Sequence, residues 1–77
     1  MSQVDKVAIL EKLGMNIRRL RQERNMSQEE LAFNVNSARN FIGCIERAEK
    51  SSSIITLCRI AKAFDVSIEE LVKGIDT

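Results

Sequence analysis

The chain has 77 residues, 44% of them hydrophobic, no proline, tryptophan, tyrosine or histidine, and a net charge of +1. That length allows one domain, and a domain so small buries only about 60% of its unfolded-chain surface, so a shared dimer core is a natural remedy. Without histidine there is no imidazole base or ligand. Cys44 and Cys58 cannot make a four-cysteine metal site or a secreted disulfide framework, and Gly14, Gly43 and Gly74 form no phosphate loop. No enzyme, metal site, cofactor or small-molecule ligand is therefore expected. No apolar run approaches a membrane span and no signal peptide is evident, so a cytoplasmic protein is expected.

Helical periodicity runs along the chain. The first segment, about Asp5 to Arg24, carries Val7, Leu10, Leu13, Ile17 and Leu20 at helical spacing. Gly14 interrupts it at a cost of about 1 kcal/mol relative to alanine, which predicts a late start or a bend. Asn25 suits the left-handed conformation that ends a helix. Ser27 and Glu30 then form a capping box for a second helix built on Leu31, Ala32 and Val35, and Asn36 is expected to turn left-handed. A third helix covers about 38–47 and buries Ile42 and Ile45. Ser53 caps a fourth that buries Leu57, Ile60, Ala61 and Phe64, with Cys58 also assigned to the core. Ser67 and Glu70 make a second capping box, and Gly74 ends a fifth helix holding Ile68, Leu71 and Val72. The acid pairs Glu29-Glu30 and Glu69-Glu70 follow serines, so they read as helix-start groups rather than an acid/base couple.

The charge is unevenly spread. Residues 1–64 carry +4 and residues 65–77 carry −3, with a basic cluster at Arg18, Arg19, Arg21 and Arg24. The acidic tail is expected to face away from any phosphate backbone. A helix, a tight turn and a second helix at the centre fit either a plain helical bundle or a helix-turn-helix pattern, whose second helix enters the major groove of DNA. Ala32 must be small where the two helices approach, and Val35, Ile42 and Ile45 must hold the pair on the core. Ala38, Arg39, Asn40, Gly43 and Cys44 are left facing outward.

The residues Met26-Ser27-Gln28-Glu29-Glu30-Leu31-Ala32, Ile42, Ile45-Glu46-Arg47, Leu57, Ile60-Ala61-Lys62-Ala63-Phe64, Val66-Ser67 and Leu71 resemble the phage repressor and Cro-like (Xre-type) helix-turn-helix family. Arg39-Asn40-Phe41-Ile42 and the short length are also similar to restriction-modification controller proteins. The resemblance implies an all-α, five-helix, lambda-repressor-like domain over 1–77, with 1–14 extending the first helix and 15–74 carrying the family match. It implies a transcriptional regulator that reads a palindromic operator in double-stranded DNA as a homodimer. Arg39 then matches a base-reading or phosphate-contacting position, where a guanidinium can bond guanine O6 and N7, and Asn40 occupies the neighbouring contact position, within reach of adenine or phosphate. Ala38 offers a methyl contact, and Cys44 either touches the groove edge or packs. Gln28, Ser37, Arg47, Lys50, Ser51 and Ser53 are expected on phosphates, Gln28 also bracing the recognition helix. Arg21 and Glu46 match an internal salt bridge.

Three departures stand out. Asn36 and Ala48 replace usual glycines, and Ser37 replaces an apolar position, so the cap of the recognition helix falls on either Ser37 or Ala38. The surplus apolar residues Phe64, Val66, Ile68, Leu71, Val72 and Ile75 suggest a C-terminal dimer interface, with Val4, Val7, Ala8 and Leu10 as a rival. A module of the same fold acting mainly on a protein partner, of the antitoxin type, is the alternative function, and the low net charge favours it.

Overall fold

A computed structural model describes residues 3–76. Its elements are α1 (Lys6–Glu23), α2 (Gln28–Asn34), α3 (Arg39–Glu46), α4 (Ile54–Phe64) and α5 (Ile68–Leu71), with no strand among the described residues. The all-α, five-helix architecture is the one the periodicity predicts. No helix among the described residues is long and apolar enough to cross a membrane.

Each helix starts where a side chain can serve its unpaired N–H groups. Asp5 accepts from Ala8 N–H, Ser27 from Glu30, Ser53 from Thr56 and Ser67 from Glu70. The Ser27–Glu30 box closes in both directions. At Ser67 only the forward bond forms, because the Glu70 carboxylate lies toward Arg19 at 3.9 Å. The second capping box is thus half made. Helix α3 starts after Ala38, which has no capping oxygen, and this settles the choice between Ser37 and Ala38.

The first four helices end alike. Met26, Ser37, Glu49 and Val66 each donate an N–H to a carbonyl five residues back, closing Schellman turns. Their left-handed residues are Asn25, Asn36, Ala48 and Asp65, with φ of 50°, 55°, 63° and 58°. Asparagine and aspartate tolerate that conformation, whereas alanine holds it at a steric cost.

The inward stripes meet in one core. Leu13, Ile17 and Leu20 of α1 pack with Leu31, Ala32 and Val35 around α2, Ile42 and Ile45 of α3, and Leu57, Ile60, Ala61 and Phe64 of α4. Each large side chain so buried contributes about 1.5–3 kcal/mol. Phe64 and Leu71, expected at a dimer surface, are 2% and 0% exposed within the single chain. They close the core, and the surplus apolar face is smaller than the sequence suggested. Cys58 is exposed, not core, because it falls one residue round the helix from Leu57 and off the inward stripe.

Helix α1 runs unbroken through Gly14, contrary to the late start or bend expected there. A Cβ at that position would stand 2.6 Å from the Glu46 carbonyl oxygen and 2.7 Å from that of Ile45. The glycine is a contact surface, letting α1 lie against the end of α3. Two polar groups complete the frame. Buried Asn16 donates from Nδ2 to the carbonyls of Leu71 and Lys73, both at 2.9 Å, serving groups that the end of α5 leaves unpaired. Arg24 donates to Phe64 and Leu20 carbonyls and stacks 5.4 Å from the Phe64 ring centre.

Two substitutions test this account by urea unfolding. Ala48→Gly should stabilise the chain by about 1 kcal/mol, since it relieves the left-handed alanine. Gly14→Ala should destabilise it by about 1–3 kcal/mol, since its methyl meets backbone that cannot move aside.

Candidate nucleic-acid interface

The helix pair α2 and α3 is joined by Val35-Asn36-Ser37-Ala38. Ser37 N–H donates to Ala32 O at 2.8 Å, and left-handed Asn36 turns the chain within this span. Ala32, the small residue expected where the two helices approach, is 3% exposed. With Ile42 and Ile45 turned inward, the outer face of α3 presents exposed Arg39 and Asn40 and half-buried Cys44.

The orientation of α3 is set from below. Glu46, whose side chain is 3% exposed, takes Arg21 Nε on Oε2 at 2.7 Å and Nη2 on Oε1 at 3.0 Å. Gln28 Nε2 donates to the same Oε1 at 3.1 Å, and Arg21 Nη1 donates to Met26 O at 2.8 Å. One carboxylate therefore ties α1, the start of α2 and the end of α3. The hydrogen bonds that Arg21 donates to Glu46 raise its pKa above the ordinary value, against the opposing effect of burial. The expected Arg21–Glu46 bridge is present, and Gln28 braces α3 as expected. Gln28 also reaches the surface, lining a shallow depression of about 330 Å³ with Arg39, Asn40, Gly43, Cys44 and Arg47.

The loop after α3 holds the remaining sequence candidates. Lys50 and Ser51 are exposed, and Ser37 is half-buried at the other end of the helix. Ser53 is exposed, but its Oγ serves the α4 cap and donates to Thr56 Oγ1 at 3.1 Å. Arg47 is exposed but paired. Glu49 accepts from its Nε at 2.9 Å and its Nη2 at 3.3 Å, a hydrogen-bonded pairing that raises the arginine pKa and lowers the carboxyl below its usual range.

Glu49 is not among the residues that the sequence singles out. The available signal was an acid two residues after an arginine, across a left-handed position. Arg21 and Arg24, part of the basic cluster, are both spent on internal hydrogen bonds. Among the described residues no His, Cys, Asp and Glu cluster could hold a metal ion.

The helix-turn-helix family model (HTH_3) matches residues 17–71. The control protein C.SmaI of Serratia marcescens is 39% identical over 64 residues, spanning 83% of this chain and 76% of that protein. The restriction-modification controller protein C.AhdI of Aeromonas hydrophila matches in structure with a TM-score of 0.81 at 36% identity, over 83% of this chain and 97% of that one. The biofilm master regulator SinR, solved in complex with DNA, matches at 0.75 and 31%, over 79% and 98%.

The carboxylate at the centre of this geometry is open to a direct test. Glu46→Ala should cost about 3–5 kcal/mol in chemical unfolding, because it strands the Arg21 charge in a largely buried place. Gln28→Ala should cost only about 1 kcal/mol, the value of one hydrogen bond.

Proposed function

The chain belongs to the helix-turn-helix family of DNA-binding transcriptional regulators, and we propose that it reads a palindromic operator as a homodimer with α3 in the major groove. The observation that carries this reading is the outward face of α3. Arg39 and Asn40 stand exposed on a helix whose other side is locked by Ile42, Ile45 and Glu46. A rigid helix presenting a guanidinium and an amide suits groove-edge recognition, because fixed donors discriminate bases that mobile ones do not.

In this mechanism phosphate contacts set the register and base contacts specify the sequence. Ser37 precedes α3, Gln28 bonds Glu46 at its last residue, and Lys50, Ser51 and Ser53 lie in the segment that follows, where the duplex backbones would pass. Ala38 supplies a methyl at the head of the helix, and Cys44 lies in the same depression as Arg39 and Asn40. The similarity to C.SmaI and C.AhdI supports the narrower proposal of a restriction-modification controller.

One recognition helix reads too few base pairs for a useful site, and a two-fold pair reads half-sites about 34 Å apart. With Phe64 and Leu71 committed to the core, the interface falls to Val66, Ile68, Val72 and Ile75, which are only partly buried. Val4 and Val7, 66% and 64% exposed at the start of the chain, are the rival surface.

Selection of bound duplexes from a random pool should yield a two-fold symmetric motif. Failure to enrich any motif at low salt would instead support the protein-partner reading. Arg39→Ala should relax one base position at a cost of about 1–3 kcal/mol, whereas Lys50→Ala should weaken all sequences evenly. Ile75→Asp should give a monomer in sedimentation. A persistent dimer would move the interface to Val4 and Val7.

A further inference from the structure

The recognition helix ends in a turn that brings an anion back to its outward side. Glu49 N–H donates to Cys44 O at 2.8 Å and Ala48 N–H to Ile45 O at 3.1 Å, with Ala48 left-handed. The backbone of Glu49 is therefore fixed to the last turn of α3. Its carboxylate meets Arg47 side-on, at 2.9 Å to Nε and 3.3 Å to Nη2. The guanidinium so held folds back along the helix. Nη1 lies 3.0 Å from where a Cβ of residue 43 would stand, and Nη2 lies 3.9 Å from Cys44 Sγ. Glycine at position 43 leaves room for this arrangement. Arg47 thereby joins Arg39, Asn40 and Gln28 around one depression.

A guanidinium carries five N–H donors in one plane. Chelation on the Nε side leaves both Nη1 hydrogens directed away from the carboxylate, and the remaining Nη2 hydrogen is held only by the weak acceptor Cys44 Sγ at 3.9 Å. Those two nitrogens have the spacing that guanine O6 and N7 accept. A phosphate anchor needs none of this. Phosphate binding draws on net positive charge, and an anion beside the arginine works against it. The arrangement gives up general affinity and gains a fixed direction. On the reading that α3 lies in the major groove, we propose that Glu49 is a positioning residue that makes Arg47 a second base-reading arginine, directed at a guanine. Arg39 and Arg47 are eight residues apart, about 12 Å along a helix, so they address different base pairs. Arg47 holds the Glu49 carboxyl below the usual carboxylate range, so the pair is intact at neutral pH.

The test compares wild type, Glu49→Gln and Arg47→Ala by selection from random duplexes at one salt concentration. A titration of one unrelated duplex is run alongside, and circular dichroism checks the fold. Both side chains are more than half exposed, so both variants should fold as the wild type does. The wild-type motif should contain a guanine in each half-site that Arg39→Ala leaves intact. Both variants should lose preference for it by roughly fivefold or more, the range of one bidentate base contact. On the unrelated duplex their effects should part: Glu49→Gln binds more tightly, with a salt slope steeper by about 0.9, and Arg47→Ala more weakly. An unchanged Glu49→Gln motif with uniformly raised affinity would make Arg47 a phosphate anchor and overturn the proposal. A wild-type pool without any motif would defeat the DNA reading and this inference together.

Discussion

The placement of the recognition helix depends on one buried carboxylate. Glu46 sits at the end of α3 with its side chain 3% exposed, and a charge so deep is tolerable only with a cation and full hydrogen bonding. Arg21 supplies two of its hydrogen bonds and Gln28 a third. Each partner comes from a different helix, so satisfying one side chain brings α1 and α2 to α3. Such a pair adds little net stability over an apolar contact of the same shape, and its value is in position. Gly14 belongs to the same arrangement, since the missing side chain lets α1 approach the backbone beside Glu46.

The turns follow from a second constraint. A left-handed residue ends each of the first four helices, and three of them are followed two residues later by the N-cap of the next helix. Asn25 leads to Ser27, Asn36 to Ala38 and Asp65 to Ser67. This spacing leaves little freedom in how one helix enters the next. The recognition helix alone lacks a capping side chain, since Ala38 has no oxygen for its first-turn N–H groups. A serine cap there would add about 1 kcal/mol, so the sequence forgoes stability at the end from which Arg39 and Asn40 project. After α3 the pattern changes. Left-handed Ala48 leads to a longer loop, and the residue it delivers beside Arg47 is an acid.

Much of the fold was legible because its signals are local. Ser27 with Glu30, Asn25 and Asn36, and the inward stripe Leu57-Ile60-Ala61-Phe64 each declare themselves within four to eight residues. The misreadings share a cause, which is that burial depends on partners distant in the chain. Gly14 looks like a helix fault until the Glu46 carbonyl is seen against it. Leu71 and Phe64 look like surplus apolar surface until α5 folds over α1 and α4. Asn16 carries no mark at all, because an asparagine within a helix reads as solvated unless carbonyls 55 and 57 residues away are known. In the site, Arg39 and Asn40 were readable from the outward face of an amphipathic helix. The Arg47–Glu49 pair was not, because it forms only through the left-handed turn at Ala48.

The low net charge is best understood by following where the cations go. Arg21 and Arg24 serve buried or half-buried acceptors, Arg19 pairs with Glu23, and Arg47 with Glu49. Around α3, Arg39 and Lys50 form no ion pair among the described residues. A protein that bound duplexes chiefly through phosphates would need many more such charges, since that part of the affinity scales with the number of phosphates neutralised. With so few, the proposed reading relies on fixed donors at base edges for discrimination rather than on a large non-specific term. The internal bonds that consume Arg21 are the ones that hold those donors still. On that reading the same arginines trade general affinity for a better defined α3 surface.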